Sequence, residues 1–295
     1  MVAQALGMGA LAADITLIGA DDQIVDVPAV RKIGVGAWGW GTGDEGRVES
    51  MITLPPSPVP RPVLAGQLAG RSVEQAVHLA LAGEVDAIVT GPVHKHALHL
   101  AGYRYPGLTE FLAHLTGGAD VAMMLATGTL RVVLVTTHLP LRDVPREVTT
   151  ERIVRIGRIA EAGLRRWWGI TRPRLALCAL NPHAGESGLF GDEDERVLRP
   201  AAVALGATGP LPADTVFVRA LRGEFDAVLA PYHDVGMTAI KVAGFGKGVN
   251  VTLGLPFPRV APDHGTAFDI AGTGVADAGS MRAALDLAVE LAGRR

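Results

Sequence analysis

A chain of 295 residues with 48% hydrophobic content can bury a large core, and its length alone suggests about two domains. A formal net charge of -3 excludes a broad basic surface for nucleic acid, and no uninterrupted apolar run approaches the roughly 20 residues needed to span a bilayer. One cysteine, Cys178, excludes an intrachain disulfide framework and fits a reducing compartment, so a soluble, cytoplasmic protein is expected.

In chain order, the apolar opening Met1–Met8 lacks a basic leader and a cleavage site and does not read as a signal peptide. Beyond it, β-rich apolar runs alternate with Ala- and Leu-rich stretches of helical spacing, the signature of a sheet with helices on both faces. Ile15–Gly19 reads as a buried strand. Gly34–Gly43 is a glycine-rich loop that matches neither the dinucleotide nor the P-loop fingerprint. Leu54–Pro62 is too proline-rich for helix or strand and reads as a surface connection. A helix is expected from Arg71 to Ala82, with Ser72 as its N-cap, and a strand at Ala87–Gly91. Thr90–Lys95 then places an ammonium at a strand end, where a solvated lysine is the plain alternative. Pro106–Phe111 opens a helix at which Thr109 either presents its hydroxyl and nearby free N–H groups to an anion or serves as a simple cap. Val132–Thr136 reads as a strand, Thr150–Trp168 and Met281–Ala292 as helices, and no solenoid-type repeat is present.

Three histidines end or closely follow runs that read as buried strands: Arg131–His138, Arg174–His183 and Phe225–His233. In open parallel sheets ligands gather outside the carboxyl ends of the strands, and three neutral imidazoles make a divalent-metal site with open positions. A single histidine there more simply caps its own strand; recurrence at three equivalent positions favours a shared ligand. Downstream, His233, Asp234, Lys241, Asn250 and Arg259 offer a metal ligand, a carboxylate, an ammonium, an amide and a guanidinium to a small anionic substrate. Asn181–Gly191 is a turn-rich loop whose glycines permit close backbone approach to a ligand. Asp263–Gly274 combines backbone-exposing glycines, the His264 ring and Asp269, a set suited to holding an adenosine.

The segments Thr90-Gly-Pro-Val-His-Lys95, Thr136-Thr-His-Leu-Pro-Leu141, Leu180-Asn-Pro-His-Ala-Gly-Glu186 and Gly209-Pro-Leu-Pro-Ala-Asp-Thr215 occur in this order. They are followed by Tyr232-His-Asp234, Gly244-Phe-Gly246, Asn250-Val-Thr-Leu-Gly-Leu-Pro-Phe257 and Asp263-His-Gly-Thr-Ala267. Together they resemble the 4-hydroxythreonine-4-phosphate dehydrogenase family of vitamin B6 biosynthesis, from about residue 85 to the C-terminus. The last segment is also similar to the cofactor loop of isopropylmalate dehydrogenases, to whose fold the family is related. The resemblance implies a two-domain α/β/α sandwich of the isocitrate/isopropylmalate dehydrogenase type. Residues 1–104 with 262–295 would form a discontinuous first domain, and 105–261 a second that carries the metal and the dimer interface.

By the same resemblance His138, His183 and His233 are metal ligands gathered across a homodimer interface, for Zn foremost, with Mg, Mn or Co as alternatives. Thr109, Lys241, Asn250 and Arg259 bind the phosphorylated hydroxy-acid substrate, and Lys241, Asp214 and Asp234 are the catalytic candidates. His264, Gly265, Thr266 and Asp269 hold NAD, with the Asp269 carboxylate disfavouring the 2′-phosphate of NADP. The implied reaction is NAD-linked oxidation of 4-phosphohydroxy-L-threonine to a β-keto acid that decarboxylates to 3-amino-2-oxopropyl phosphate. Three positions depart from the family pattern. Leu108 replaces a histidine before Thr109, Val235 replaces a glutamine at the expected rim of the site, and the family's first strand and Gly-Asp-Pro-Ala-Gly-Ile-Gly-Pro loop are missing, so either the start codon is placed too late or the first domain is N-terminally truncated. These departures keep open a dehydrogenase of phosphothreonate, phosphoerythronate or the unphosphorylated cis-dihydrodiol of terephthalate, and a non-catalytic metal- or metabolite-binding relative. Retention of three histidines, Lys241 and Asp269 weighs against the last.

Overall fold

The computed structural model describes residues 13–19, 31–34, 61–244, 246–271 and 273–294. The Met1–Met8 opening, most of the Gly34–Gly43 loop and the proline-rich segment up to residue 60 lie outside the described residues. Strands β1 (Thr16–Gly19) and β2 (Arg31–Gly34) form a separate parallel pair. The remaining strands are β3 (Ile88–Val89), β4 (Ala122–Thr127), β5 (Leu130–Leu134), β6 (Leu175–Cys178), β7 (Thr208–Leu211), β8 (Ala227–Ala230), β9 (Val249–Leu253) and β10 (Arg259–Pro262). They form one eight-stranded sheet in the order β3-β10-β9-β4-β5-β8-β6-β7. β5, β8, β6 and β7 run parallel, whereas β4 is antiparallel to both β5 and β9, and β9 to β10. The sheet is therefore mixed, not an open parallel one throughout. It is also continuous across positions 104/105 and 261/262, since β3 and β10 pair beside β9.

Helices cover both faces because successive strand residues point to opposite sides. Leu125, Val132, Leu134, Ala176, Cys178, Val228 and Ala230 pack with Val216, Ala220 and Ile240 of helices α7 (Ala213–Leu221) and α8 (His233–Gly244). Their neighbours Met124, Val133, Leu177, Leu229 and Val251 pack instead on α5 (Thr150–Trp168) and α9 (Gly279–Ala292). A third cluster joins α1 (Arg61–Leu81) and α3 (Leu108–Leu115) through Val73, Val77, Phe111, Leu112, Leu255 and Phe257. Burial pushes the Cys178 thiol up to about 12, so it behaves as a small core hydrophobe. Among the described residues no helix is long and apolar enough to cross a membrane.

Helix ends follow the local chemistry where caps are unambiguous. Thr149 accepts from Arg152 N at the start of α5, and Gly169, with φ 67°, ends it in the left-handed conformation. Two expected caps are corrected. α1 begins at Arg61, so Ser72 lies inside it and its Oγ donates back to Leu68 O at 2.8 Å. Gly107, not Thr109, caps α3, and Thr109 sits in the first turn.

The amino ends of the parallel strands are stitched by one carboxylate. Asp226 accepts Arg174 N at 2.7 Å and the Arg174 guanidinium at 2.9 and 3.1 Å, while its own carbonyl accepts Arg131 Nη1 at 3.2 Å. Burial works to raise the Asp226 pKa, but the hydrogen bonds from Arg174 and the Arg174 and Arg131 charges outweigh it and hold the carboxyl below its usual range. Such a group stabilises the fold above its unfolded-state pKa, and the contribution is lost as pH falls through the depressed native value. Asp226→Asn is therefore expected to lower the unfolding free energy by about 1.5–3 kcal/mol at neutral pH, with the difference from wild type shrinking in acid. Urea unfolding across the acidic range checks this; an equal loss at every pH would contradict it.

Candidate active site

A cavity of about 250 Å³ opens at the carboxyl ends of β5 and β8, between them and the segment that joins β3 to α3. Of the residues singled out in sequence it is lined by Thr109, His138, His233, Asn250, Arg259 and His264. The buried Thr136 hydroxyl donates to Pro231 O at 2.8 Å, tying the segment after β5 to the one after β8. That tie brings the His138 and His233 rings to 5.5 Å between centroids. Asp234 Oδ1 lies 2.7 Å from His233 Nδ1; with the proton on Nδ1, Nε2 carries the free lone pair. Burial, reinforced by the Lys95 and His233 charges and opposed by Glu110, lowers the His138 pKa and favours its neutral form.

His183 does not join them. Residues His183 to Ser187 follow a left-handed course, with φ of 54°, 57°, 82°, 42° and 59°. Each non-glycine residue there costs about 1–2 kcal/mol relative to a right-handed conformation. The His183 side chain is 67% exposed, with Glu186 Oε2 3.7 Å from its Nδ1. Among the described residues no group of three or more His, Cys, Asp or Glu side chains is placed to hold a metal. Within this chain two of the three expected histidines, His138 and His233, therefore line one cavity, and His183 stands apart from them. Asp214, exposed in the first turn of α7, also lies outside the cavity lining.

Arg259 is the electrostatic feature of the cavity. Only 3% exposed, it donates to Thr252 Oγ1 at 3.0 Å and Thr90 Oγ1 at 2.6 Å, and no carboxylate pairs with it among the described residues. Burial pushes its pKa down to about 10, which still leaves a cation at neutral pH. The buried atoms Arg259 Nε, Asn250 Oδ1 and His264 Nε2 have no hydrogen-bond partner, and all three residues line this cavity. Native interiors leave few such atoms unpaired, and a buried ion lacking its partner costs several kcal/mol. The cavity therefore joins a buried cation to unsatisfied donor and acceptor atoms, a chemistry suited to a polar anion.

A second cavity, about 750 Å³, adjoins it, and Asp263 and His264 belong to the walls of both. Lys241, Gly265 and Thr266 line the larger one. Lys241 Nζ is held by the buried Asp263 carboxylate at 2.6 Å, so Lys241 stands apart from Thr109, Asn250 and Arg259. Asp269, in the turn Phe268–Ile270, flanks this cavity without lining it. Leu108 lines the smaller cavity and also packs on the third core cluster. Val235 packs with the α7 and α8 cluster, and its side chain is not among those lining either cavity. Lys95 and Glu110 line the smaller cavity as well but were not among the expected site residues. Lys95 was legible as an ammonium at a strand end; Glu110, next to Thr109, carries no signal of its own.

The family model of the pyridoxal phosphate biosynthetic protein PdxA matches residues 56–288. The chain is 50% identical over 233 residues to the 4-hydroxythreonine-4-phosphate dehydrogenase of Beijerinckia indica, covering 77% of this chain and 69% of that protein. It is also 50% identical over 233 residues to the D-threonate 4-phosphate dehydrogenase of Salmonella typhimurium, covering 77% and 71%. The crystal structure of 4-hydroxythreonine-4-phosphate dehydrogenase from Klebsiella pneumoniae superposes with a TM-score of 0.77 at 42% identity, covering 98% of this chain and 85% of that one. Both the arrangement of strands and cavities and the matched length lead to one conclusion: the chain belongs to the PdxA family of pyridoxal phosphate biosynthetic proteins.

Proposed function

We propose that this protein is an NAD-linked, metal-dependent dehydrogenase that oxidises the secondary hydroxyl of 4-phosphohydroxy-L-threonine, whose β-keto product decarboxylates to 3-amino-2-oxopropyl phosphate. The observation that carries the reading is Arg259: a buried guanidinium facing only hydroxyls, in a cavity shared with His138, His233 and the unpartnered Asn250 amide oxygen. Arg259, Thr109 and Asn250 bind the anionic substrate, and Lys95 adds a second cation to the wall. D-threonate 4-phosphate is the second reading, favoured by equal identity to a relative of that name. The two substrates share the phosphate and differ at the carbon beside the carboxylate.

The donor chemistry of His138 and His233 suits Zn, or Mg, Mn or Co, and a bound divalent ion supplies Lewis acidity at the hydroxyl being oxidised. Asp234 orients His233 for this task. The missing third imidazole is assigned to His183 of a second copy, which makes the active unit a homodimer. Exposed Leu139 and Leu141 beside His138, and exposed Leu189 and Phe190 beside His183, support an apolar contact at both half-sites. Asp214 follows β7, against which the His183 turn packs, so it enters the chemistry from the same second copy. NAD occupies the larger cavity against His264, Gly265 and Thr266, with Asp269 at the adenosine ribose, and Lys241 either neutralises substrate anions or shuttles a proton between the two cavities. We assign residues 1–104 with 262–295 to the cofactor domain and 105–261 to the metal and dimer domain of a cytoplasmic enzyme, with Lys95 and Lys241 each reaching the other domain's cavity.

Shared sites have a sharp consequence in mixed dimers. His183→Ala and His233→Ala chains are each inactive, but a heterodimer regains one intact site, so random exchange restores about a quarter of wild-type activity. The pair His138→Ala and His233→Ala restores none, because both residues belong to the same half-site. Recovery by the second pair and not the first would reverse the assignment.

Arg259→Met is expected to keep or raise the unfolding free energy, since a buried unpaired charge is removed, while weakening binding of the phosphorylated substrate by roughly tenfold to a thousandfold. Denaturation and calorimetric titration on one preparation check both halves; a variant that is less stable and binds normally refutes the assignment. Leu108→His should lower the Michaelis constant for the phosphorylated substrate by about tenfold or more, with little gain for an unphosphorylated analogue. An unchanged ratio between the two substrates would show that position 108 does not serve the phosphate.

A further inference from the structure

We infer that Asp194 is a positioning residue that holds the left-handed turn carrying His183, and so aims that imidazole out of its own subunit. Asp194 is completely buried, forms no ion pair in the described structure, and lies outside both cavities, so substrate and cofactor chemistry leave it without a role. Its two carboxylate oxygens each accept one consecutive backbone amide, Leu180 N at 2.9 Å and Asn181 N at 3.0 Å. These are the residues between the end of β6 and Pro182, where the chain must leave the sheet and reverse its hand. Glu193 completes the hold, with Oε2 accepting Asn181 Nδ2 at 2.8 Å.

The turn cannot hold its shape on local preference. Non-glycine residues avoid left-handed backbone, and here His183, Ala184, Glu186 and Ser187 all adopt it. Three bonds within the turn, Ala184 N to Asn181 O, Leu189 N to Glu186 O and Phe190 N to Gly185 O, are all 3.1–3.2 Å and close only short loops. Anchoring falls to the buried carboxylate. Gly185 is pressed against the returning chain: a Cβ there would stand 2.9 Å from Gly191 O, with the Asp194 side chain in ordinary contact at 3.8 Å. A strained segment persists only when its surroundings over-determine it, and Asp194 with Glu193 supplies that determination. An aspartate is required because both oxygens accept; an asparagine would turn an N–H₂ toward an amide N–H.

This inference rests on the assignment of His183 as the third ligand of a shared metal site, and the experiment separates the two. Zinc titration of metal-free dimer, segment-resolved hydrogen exchange, and NAD binding are compared for wild type, His183→Ala, Asp194→Asn and the milder Glu193→Gln. Asp194→Asn is expected to accelerate exchange across residues 180–188 alone and to weaken zinc binding by about tenfold to a hundredfold, as loss of a ligand's supporting partner does, with NAD affinity unchanged. Glu193→Gln shifts both in the same direction by less, and decides the matter should Asp194→Asn fail to fold. Wild-type exchange and zinc affinity in the folded variants, or acceleration spread evenly over the whole chain, would overturn the positioning role. Unchanged zinc affinity in His183→Ala would instead remove the metal assignment, while the exchange data would still judge the hold of Asp194 on the turn.

Discussion

A buried guanidinium that meets no carboxylate among the described residues is the constraint on which the site depends. Arg259 sits where strand pairing brings it opposite Thr252 on β9 and Ile88 on β3, so that hydroxyls from either side reach its nitrogens. Register therefore decides which groups solvate the cation, and it supplies two neutral oxygens and no charge. Folding leaves the electrostatic deficit in place, and under the proposed function the anionic substrate would offset it. That division explains why the unpaired atoms of Asn250 and His264 gather in the same cavity. Each is a small cost to the empty protein and a ready contact for the occupied one.

The sheet has a stitched end and an open end. At the amino ends of β5, β6 and β8 the Asp226–Arg174–Arg131 set consumes charge and backbone groups alike, leaving nothing over for chemistry. At the carboxyl ends the Thr136 tie uses a single hydroxyl and one carbonyl, enough to set the spacing of two imidazoles without engaging either ring. The charged stitch lies away from both cavities, and His138 and His233 are carried on the short segments just beyond the opposite ends of the strands.

Much of this was legible from residue pattern, and the exceptions have definite causes. Buried strand runs followed by His138 and His233 do deliver both rings to one cavity. The run ending in His183 has the same appearance, but spacing cannot show that residues 183–187 reverse their hand, because the carboxylate that holds them lies downstream at Asp194. Lys241 falls between Asp234 and Asn250 in the chain, yet Asp263 draws its ammonium toward the other cavity, a pairing across 22 positions that no local pattern encodes. Ser72 has the composition of a cap but lies within a helix that begins at Arg61. The β-rich apolar runs that revealed the strands look alike in parallel and antiparallel pairs, so the mixed character of the sheet was invisible to them.

The walling-in of Cys178 has a practical side. Its thiol lies within the sheet with its ionisation strongly suppressed, and the chain contains no other. Native thiol chemistry is thus silent in the folded protein, and a cysteine introduced at Leu189 or Leu141 would be the sole thiol open to a maleimide, a spin label or a fluorophore. Distances between labelled copies can then be measured without first rebuilding the core around a replaced cysteine.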